Sequence, residues 1–257
     1  MTLRIAMWSG PRTLSTALMR SFGARLDTAV IDEPFYAAYL ARTGLAHPLR
    51  DEVLASQPHD PAEVVRALLG PVPDERPVFY QKHMTHHMLA DYDLGFMRHV
   101  RSAFLLRAPE PMLASYQHGR AEVALSDLGF VQQRALFERE AACLGSAPPV
   151  IDSADLTTDP AGTLQRLCDA LGLAYTDTML HWPPGRRDTD GAWAPAWYAA
   201  VEQSTGFVAP APAQPKPLPA ALARIADLAR PHYEAVAAHC LRSGATPGVG
   251  ARSSSSS

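Results

Sequence analysis

Short apolar segments alternate with amphipathic helical patterns through residues 1–180, and this alternation constrains the fold more than any other feature of the chain. The five segments with strand character are residues 3–8, 28–32, 77–82, 102–107 and 149–152. Strands that alternate with helices are typical of a parallel sheet with helices on both faces. The pattern therefore predicts an α/β fold of three layers, with a largely parallel central sheet of about five strands and helices on both faces.

The helical patterns indicate how the chain is organised. They cover residues 15–26, 85–98, 110–122, 129–144 and 159–171, and a proline-interrupted helical stretch precedes Gly70. We expect one domain over residues 1–207 and an alanine- and proline-rich linker over residues 208–219. A C-terminal helix over residues 220–242 is expected to pack on the same domain, followed by a disordered tail over residues 243–257.

Composition and charge argue against several function classes. Hydrophobic residues make up 47% of the 257 residues, which is enough for one domain with a substantial core. The formal net charge of −3 argues against nucleic-acid binding, since nucleic-acid-binding domains usually carry a basic surplus. No apolar stretch is long enough for a membrane span and no signal peptide is recognisable, so we expect a cytoplasmic protein. Cys143, Cys168 and Cys240 are too widely spaced for a disulfide framework or a CxxC metal site.

The segment after the first predicted strand has the character of an anion-binding loop. It carries Arg12, Thr13, Leu14, Ser15 and Thr16 where a helix is predicted to begin. The free N–H groups of a first helical turn, the positive end of the helix dipole and nearby hydroxyls all favour a phosphate. The lysine of the ATP-binding pattern GxxxxGK[ST] is absent, so we do not expect a nucleoside triphosphatase. The alternative is an ordinary strand–turn–helix capped by Ser15 or Thr16.

A second anion-binding pattern follows the fourth predicted strand. Arg107 ends that strand, Pro109 opens the next helix, and Ser115 lies nearly two turns along it. The two patterns together resemble the PAPS-dependent sulfotransferases (PAPS is 3′-phosphoadenosine 5′-phosphosulfate), in particular a bacterial sulfotransferase-like subgroup with a P-loop-type fold. The family patterns are [KR]-[ST]-G-[ST]-T in the first loop and R-x-P with a serine eight positions after the arginine.

This resemblance implies a function for both loops. It implies transfer of a sulfuryl group from PAPS, with PAP as the product, onto a hydroxyl or amine of a small-molecule acceptor. Residues 12–16 would hold the 5′-phosphosulfate, and Arg107 and Ser115 would hold the 3′-phosphate. Arg12 is also expected to stabilise the charge that develops on the 5′-phosphate as the sulfuryl group leaves. The oligomeric state is not predicted.

Leu14 departs from the family pattern, which has a glycine at this position. Its side chain either weakens or repositions donor binding, or it points into the core. A catalytically silent nucleotide-binding protein of the same fold is therefore an alternative, and a small-molecule kinase is another. A pyridoxal-phosphate aminotransferase would need a lysine, and the two in the chain are Lys82 and Lys216.

Lys82 and His83 end the third predicted strand. The resemblance implies that Lys82 contacts the sulfuryl oxygens and that His83 is a candidate base, although in cytosolic sulfotransferases one residue separates the two. His83, His87 and Asp91 would share one face of a helix, but no metal site is expected because His83 belongs to the strand end. The aromatic residues Trp193, Trp197 and Tyr198 line either the acceptor or adenine pocket or the core.

Glu33 is the predicted general base. It follows the second predicted strand, and Pro34 biases it toward an extended conformation that carries the carboxylate beyond the strand end. Phe35 and Tyr36 are expected to desolvate the carboxylate in part and raise its pKa. The neighbouring Asp32 is expected to point to the other side of the sheet. The alternative is that Glu33 pairs with an arginine such as Arg12.

Overall fold

The centre of the structure is a parallel sheet. The structure is a computed structural model and describes residues 2–116, 123–208 and 217–242. Among these residues the strands are β1 (Leu3–Ser9), β2 (Thr28–Asp32), β3 (Val78–Met84), β4 (Arg101–Leu106) and β5 (Val150–Asp152). Their order is β2–β3–β1–β4–β5, and every neighbouring pair is parallel. The predicted fold class is confirmed.

Helices cover both faces of this sheet. In chain order they are α1 (Ser15–Gly23), α2 (Tyr36–Thr43), α3 (Arg50–Ser56), α4 (Pro61–Leu69), α5 (Pro109–Tyr116), α6 (Leu125–Leu128), α7 (Phe130–Leu144), α8 (Ser153–Thr158), α9 (Pro160–Leu171), α10 (Ala194–Trp197), α11 (Ala199–Glu202) and α12 (Ala220–Ala237). Short 3₁₀ helices lie at Pro73–Glu75, Thr85–His87, Gly95–His99 and Asp177–Leu180.

Alternate residues of the central strand β1 are buried in two separate hydrophobic clusters. Ile5 and Met7 of β1 face the cluster formed with α1, α8 and α9. Ala6 and Trp8 face the cluster formed with α2, α4, α7 and α12. Because side chains of a strand alternate between faces, a strand that is apolar on both faces belongs at the centre of a three-layer fold.

The prediction of one helix over residues 85–98 is wrong. That segment forms the two 3₁₀ helices Thr85–His87 and Gly95–His99 with an irregular stretch between them. The carboxylate of Asp93 accepts a hydrogen bond from the N–H of Gly95 at 2.7 Å. Aspartates that bond nearby backbone in this way favour a turn over a continuing helix.

The C-terminal helix α12 packs on the same body as the sheet. Leu222, Ala226 and Ala229 of α12 share a buried cluster with α5 and α7. After the helix, the N–H of Leu241 donates to the carbonyl of Val150 at 2.8 Å, which covers the outer edge of β5. The limits of the predicted linker and tail stay a prediction, because residues 209–216 and 243–257 lie outside the described residues.

Among the helices within residues 2–116, 123–208 and 217–242, none is both long enough and apolar enough to cross a bilayer.

Candidate active site

A cavity of about 400 Å³ opens beyond the carboxyl ends of the parallel strands. It gathers residues that are far apart in the sequence. The predicted site residues that line it are Arg12, Thr13, Leu14, Ser15, Thr16, Glu33, Lys82, Arg107 and Ser115. His83 is the one predicted site residue that does not line this cavity.

The loop before α1 leaves the first turn of that helix open to a ligand. Leu14 occupies the N-cap position with φ 68° and ψ 18°, and its side chain provides no capping hydrogen bond. The first turn contains no acidic residue, and Ser15, Thr16 and Ala17 all line the cavity. Uncapped N–H groups at a helix N-terminus favour an anion. Capping by Ser15 or Thr16, which was the alternative, is not what the structure shows.

Leu14 and Arg12 both have left-handed backbone conformations, with φ values of 68° and 59°. The left-handed region is the one that glycine adopts without a steric penalty. The Leu14 side chain lines the cavity and is partly buried. The loop therefore keeps a glycine-like backbone with a leucine in it, and the side chain does not enter the core.

The hydroxyl of Thr13 serves the loop itself. It is fully buried and donates to the carbonyl of Gly10 at 2.9 Å. Ser153, which follows β5, donates from its Oγ to the carbonyl of Thr13 at 2.8 Å. These two bonds hold the loop against the sheet edge. Because the side chain of Thr13 is buried, its backbone is the part that borders the cavity.

Arg12, Arg107 and Ser115 meet at one end of the cavity. The Nη1 of Arg107 donates to the carbonyl of Arg12 at 2.5 Å, and the Nε of Arg12 donates to the Oγ of Ser115 at 3.0 Å. Burial lowers the pKa of Arg107, and the nearby Arg12 charge lowers it further. Two guanidinium groups that repel each other beside an open helix N-terminus form a site that an anion would stabilise.

Lys82 lies at the other end of the cavity, inside a network of buried polar groups. Its Nζ donates to Asp32 Oδ1 at 2.8 Å, to Glu33 Oε1 at 2.6 Å and to the hydroxyl of Tyr198 at 2.8 Å. Tyr198 in turn donates to Asp32 Oδ2 at 2.7 Å and accepts from the Nε1 of Trp193 at 3.0 Å. The Lys82 side chain is 1% exposed. Glu33 therefore pairs with this lysine, and Arg12 is not its partner.

The charges in this network shift each other's pKa values. Burial raises the pKa of Glu33 and the charge of Asp32 adds to this, while Lys82 opposes both. Burial alone would lower the pKa of Lys82, but Asp32 and Glu33 outweigh it and hold the pKa well above its ordinary value. The network therefore has a charged lysine and a glutamate with more affinity for a proton than a solvent-exposed one.

Two predictions about β2 are wrong for one reason. Glu33 was expected to be extended, and Asp32 was expected to point to the other side of the sheet. Glu33 has φ 37°, outside the extended region, so the alternation of the strand ends before it. Both carboxylates therefore reach the same ammonium group of Lys82.

His83 lies on the opposite face of β3 from the cavity. Its ring stacks on Trp8 with centroids 4.4 Å apart and contacts Phe35 and Phe96. Its Nε2 lies 3.2 Å from Gln81 Oε1. Burial lowers the pKa of His83 to about 3. Successive residues of a strand face opposite ways, so the same strand that turns Lys82 to the cavity turns His83 into the core.

Aromatic and imidazole side chains form the wall beside Glu33. Trp193, Trp197 and Tyr198 line the cavity. Trp193 and Tyr198 also belong to a buried hydrophobic cluster against which Trp197 packs, so these residues form part of both the cavity wall and the core. The further members of this wall are Tyr36, His47, His86 and His87. The sequence named Tyr36 as a neighbour of Glu33 and His87 as a member of a possible metal-ligand face, and it did not single out His47 or His86. His87 stacks on Tyr36 with centroids 4.5 Å apart, and burial lowers the pKa of His87 well below its ordinary value.

Within the described ranges, no group of three or more His, Cys, Asp or Glu side chains could hold a metal ion. His83 and His87 lie apart from Asp91, which pairs with Arg42 on the surface.

The sheet and its cavity belong to a domain of a known family. The family model of the sulfotransferase domain matches residues 3–240 of the sequence. The chain belongs to the sulfotransferase domain family. The predicted family is thereby confirmed at the level of the domain, and the sulfotransferase fold accounts for the parallel sheet and the cavity at its carboxyl edge.

Two curated relatives of this chain carry a different kind of name. They are the branched-chain-amino-acid aminotransferase-like proteins 1 and 2 of Arabidopsis thaliana, which are 37% and 35% identical to this chain over 206 residues. The match takes in 80% of this chain but 37% and 36% of the relatives. The chain thus spans little more than a third of the length of these relatives.

A solved structure shares the fold. The sulfotransferase domain from the curacin biosynthetic pathway superimposes with a TM-score of 0.50 at 17% sequence identity, over 89% of this chain and 97% of that one. At this identity the likeness concerns the fold.

Proposed function

We propose that this sulfotransferase moves a sulfuryl group from PAPS to a hydroxyl or amine of a small-molecule acceptor. The observation that carries the proposal is the division of one cavity into two ends. Arg12, Arg107 and Ser115 meet at one end beside the open N-terminus of α1, and Lys82 with Glu33 lies at the other. A donor with two separate anionic groups and an acceptor with a removable proton fit these two ends.

The end of the cavity with Arg12, Arg107 and Ser115 is positively charged and fits the phosphates of the donor. Arg107 and Ser115 are assigned to the 3′-phosphate, and residues 12–16 to the 5′-phosphosulfate. The guanidinium groups of Arg12 and Arg107 both border the cavity, and a dianion between them would relieve their mutual repulsion. PAPS supplies the activated sulfuryl group, and the chain supplies its orientation and charge stabilisation.

Glu33 is assigned as the general base. The acceptor oxygen or nitrogen forms a bond to sulfur while the bond from sulfur to the bridging phosphate oxygen breaks. The electron pair of that bond stays on the 5′-phosphate of the departing PAP, where Arg12 stabilises it. The proton of the acceptor passes to the Glu33 carboxylate, whose pKa is raised by burial toward the range useful for this task. Lys82 stabilises the charge on the sulfuryl oxygens. His83 has no part in this assignment, because it lies in the core.

The name of the Arabidopsis relatives raises a second candidate, an aminotransferase. A Schiff base with pyridoxal phosphate requires a neutral lysine. Lys82 is bound by two carboxylates that raise its pKa well above the ordinary value, and Lys216 lies outside the described residues. These observations favour the sulfuryl-transfer proposal for this chain.

The test combines ligand binding with turnover. PAP, ATP and pyridoxal phosphate are titrated calorimetrically without added metal, and PAP release from PAPS is followed with a panel of phenols, alcohols and amines. We expect PAP to bind more tightly than ATP and at least one acceptor class to release PAP. Glu33→Gln should then lower kcat by about 10²–10⁴ with PAP affinity intact, because it removes the base and keeps the side-chain shape.

A matched control is Glu138→Gln, which neutralises an exposed glutamate of α7 that pairs with Arg134. It should leave kcat unchanged. If ATP binds as well as PAP and no acceptor releases PAP, the proposal is wrong. If Glu33→Gln turns over at the normal rate, Glu33 is not the base.

A further inference from the structure

The ammonium group of Lys82 has no free donor in this structure. A protonated lysine carries three N–H groups. Asp32, Glu33 and Tyr198 accept one each, at 2.8, 2.6 and 2.8 Å. A sulfuryl oxygen can therefore bind Lys82 only by taking the place of one of these three partners.

Two of the three partners of Lys82 are fixed by further hydrogen bonds. Asp32 has a side chain that is 1% exposed and does not line the cavity. It is fixed from behind by the hydroxyl of Tyr198 at 2.7 Å and by the N–H of Gly191 at 3.3 Å. Tyr198 is fixed in the same way by Asp32 and by Trp193.

Glu33 is the carboxylate that faces the ligand, whereas Tyr198, which also lines the cavity, is an uncharged partner held by Asp32 and Trp193. Glu33 lines the cavity, and its side chain is 11% exposed, against 1% for Asp32. An incoming anionic oxygen repels a carboxylate and attracts an ammonium group, so it competes directly with Glu33 for Lys82. The geometry thus makes the Lys82–Glu33 ion pair the one that a donor would break.

We propose that the sulfuryl group of the donor displaces Glu33 from Lys82, and that Asp32 and Tyr198 are positioning residues that make Glu33 the partner exchanged. This inference rests on the proposed function. Without donor, Glu33 is held in an ion pair with Lys82, which opposes the rise of its pKa and occupies its carboxylate. With donor bound, Lys82 contacts the sulfuryl oxygens and the Glu33 carboxylate is free to accept the acceptor's proton. The base is thereby released by the donor whose sulfuryl group it helps to transfer.

Breaking the Lys82–Glu33 ion pair changes the pKa of Glu33, and this change can be measured without turnover. Lys82 of β3, Asp32 of β2 and Tyr198 act most strongly on Glu33, and the titratable imidazoles of His47, His86 and His87 line the same cavity. Lys82 lowers the pKa of Glu33, whereas burial and Asp32 raise it. Loss of the Lys82 contact therefore raises this pKa further, and the protein takes up protons when the donor binds.

The test measures proton uptake by calorimetry in two buffers of different ionisation enthalpy, without acceptor. PAPS and PAP are compared, because PAP lacks the sulfuryl group that reaches Lys82. We expect proton uptake, as a fraction of one proton per site, to be larger for PAPS than for PAP. Glu33→Gln should abolish the difference while both ligands still bind.

Tyr198→Phe separates positioning from simple structural support. The variant leaves one N–H of Lys82 without a partner on the cavity side, so a sulfuryl oxygen can bind without displacing Glu33. We expect PAPS affinity within about threefold of the wild type, loss of the extra proton uptake, and a kcat at least about tenfold lower because the base is not released. The acidic limb of the kcat profile should move to lower pH, since Glu33 keeps its ion pair.

Trp193→Phe is the matched control. It disturbs the same buried cluster but leaves all three acceptors of Lys82 in place. It should keep the difference in proton uptake between PAPS and PAP, and thermal unfolding reports whether both variants are folded. Equal uptake for the two ligands in the wild type, or wild-type uptake in Tyr198→Phe, overturns the inference. If PAPS does not bind at all, the proposed function falls with it, whereas binding and turnover without extra uptake overturn only the exchange.

Discussion

Replacing Leu14 by glycine tests the most unusual position of the anion-binding loop. Leu14 has φ 68° and ψ 18°, at the residue immediately before α1. A residue with a β-carbon pays a steric cost in this conformation, and glycine does not. We therefore expect glycine to be more stable than alanine at this position.

The magnitude follows from two opposing terms. The left-handed conformation costs a residue with a β-carbon about 1–2 kcal/mol. Glycine loses about 0.5–1 kcal/mol more backbone entropy than alanine on folding. Leu14→Gly should therefore be more stable than Leu14→Ala by about 0.75 kcal/mol, the difference between the central values, because alanine keeps the strain of the left-handed conformation. For a chain of this size, that difference is about 1–4 °C in Tm.

The assay is thermal or denaturant unfolding of the two variants side by side. Ala17→Gly, within the first turn of α1, is the control at a position with ordinary helical geometry and should be destabilised by about 0.5–1 kcal/mol. PAP affinity of Leu14→Gly should equal or exceed that of the wild type, because the side chain that borders the cavity is gone. If Leu14→Ala is as stable as Leu14→Gly or more so, the left-handed loop is not the conformation in solution.

Three further predictions concern single residues. Arg107→Ala should weaken PAP by about ten- to a hundredfold, as expected for losing a charge-assisted contact of about 1.5–3 kcal/mol, and hardly change adenosine 5′-phosphosulfate, which lacks the 3′-phosphate; equal losses in calorimetry would refute the assignment. Arg12→Ala should lower kcat as well as donor affinity, because it removes charge stabilisation from the leaving phosphate; a change confined to the KM for PAPS makes Arg12 a binding residue only. His83→Phe addresses the pH dependence of folding: the folded pKa of His83 is about 3, below the ordinary value near 6.5, so the unfolded chain binds the proton first and wild-type stability falls as pH drops below about 6.5. Between pH 6 and 4, the free energy of unfolding of the variant should fall less steeply than that of the wild type, by up to about 1.4 kcal/mol per pH unit. Urea unfolding measures this slope, and an unchanged slope would contradict the core position of His83.

The parts of the site that are local in the sequence were predictable. Arg12 to Thr16 follow a strand and open a helix, and Arg107 and Ser115 stand at a fixed spacing within one strand–helix unit. The edge of a parallel sheet brings two such units together whatever the rest of the chain does. The sheet itself followed from the same alternation of apolar strands and helices.

The network around Lys82 was not predictable in the same way. Tyr198 lies 166 residues after Asp32 in the chain, and no pattern links the two. The predicted direction of Asp32 assumed that strand alternation continued through Glu33, whereas the backbone leaves the strand there with φ 37°. A single backbone angle thus decided which carboxylates meet Lys82, and periodicity carries no information about such a break.

Half of the strained backbone positions of the described residues lie at the cavity. Of the six non-glycine residues with positive φ, Arg12, Leu14 and Glu33 line the cavity, whereas Leu49, Asp74 and Glu75 do not. Such conformations cost about 1–3 kcal/mol each and persist only when surrounding contacts fix them. Arg107 holds the carbonyl of Arg12, and the N–H of Glu33 donates to the carbonyl of Lys82 at 2.9 Å. The residues proposed to bind the ligands thus hold the strained backbone of their neighbours, so the arginine end of the cavity and the Lys82–Glu33 end are each built as a unit in which side chains and backbone conformation depend on one another.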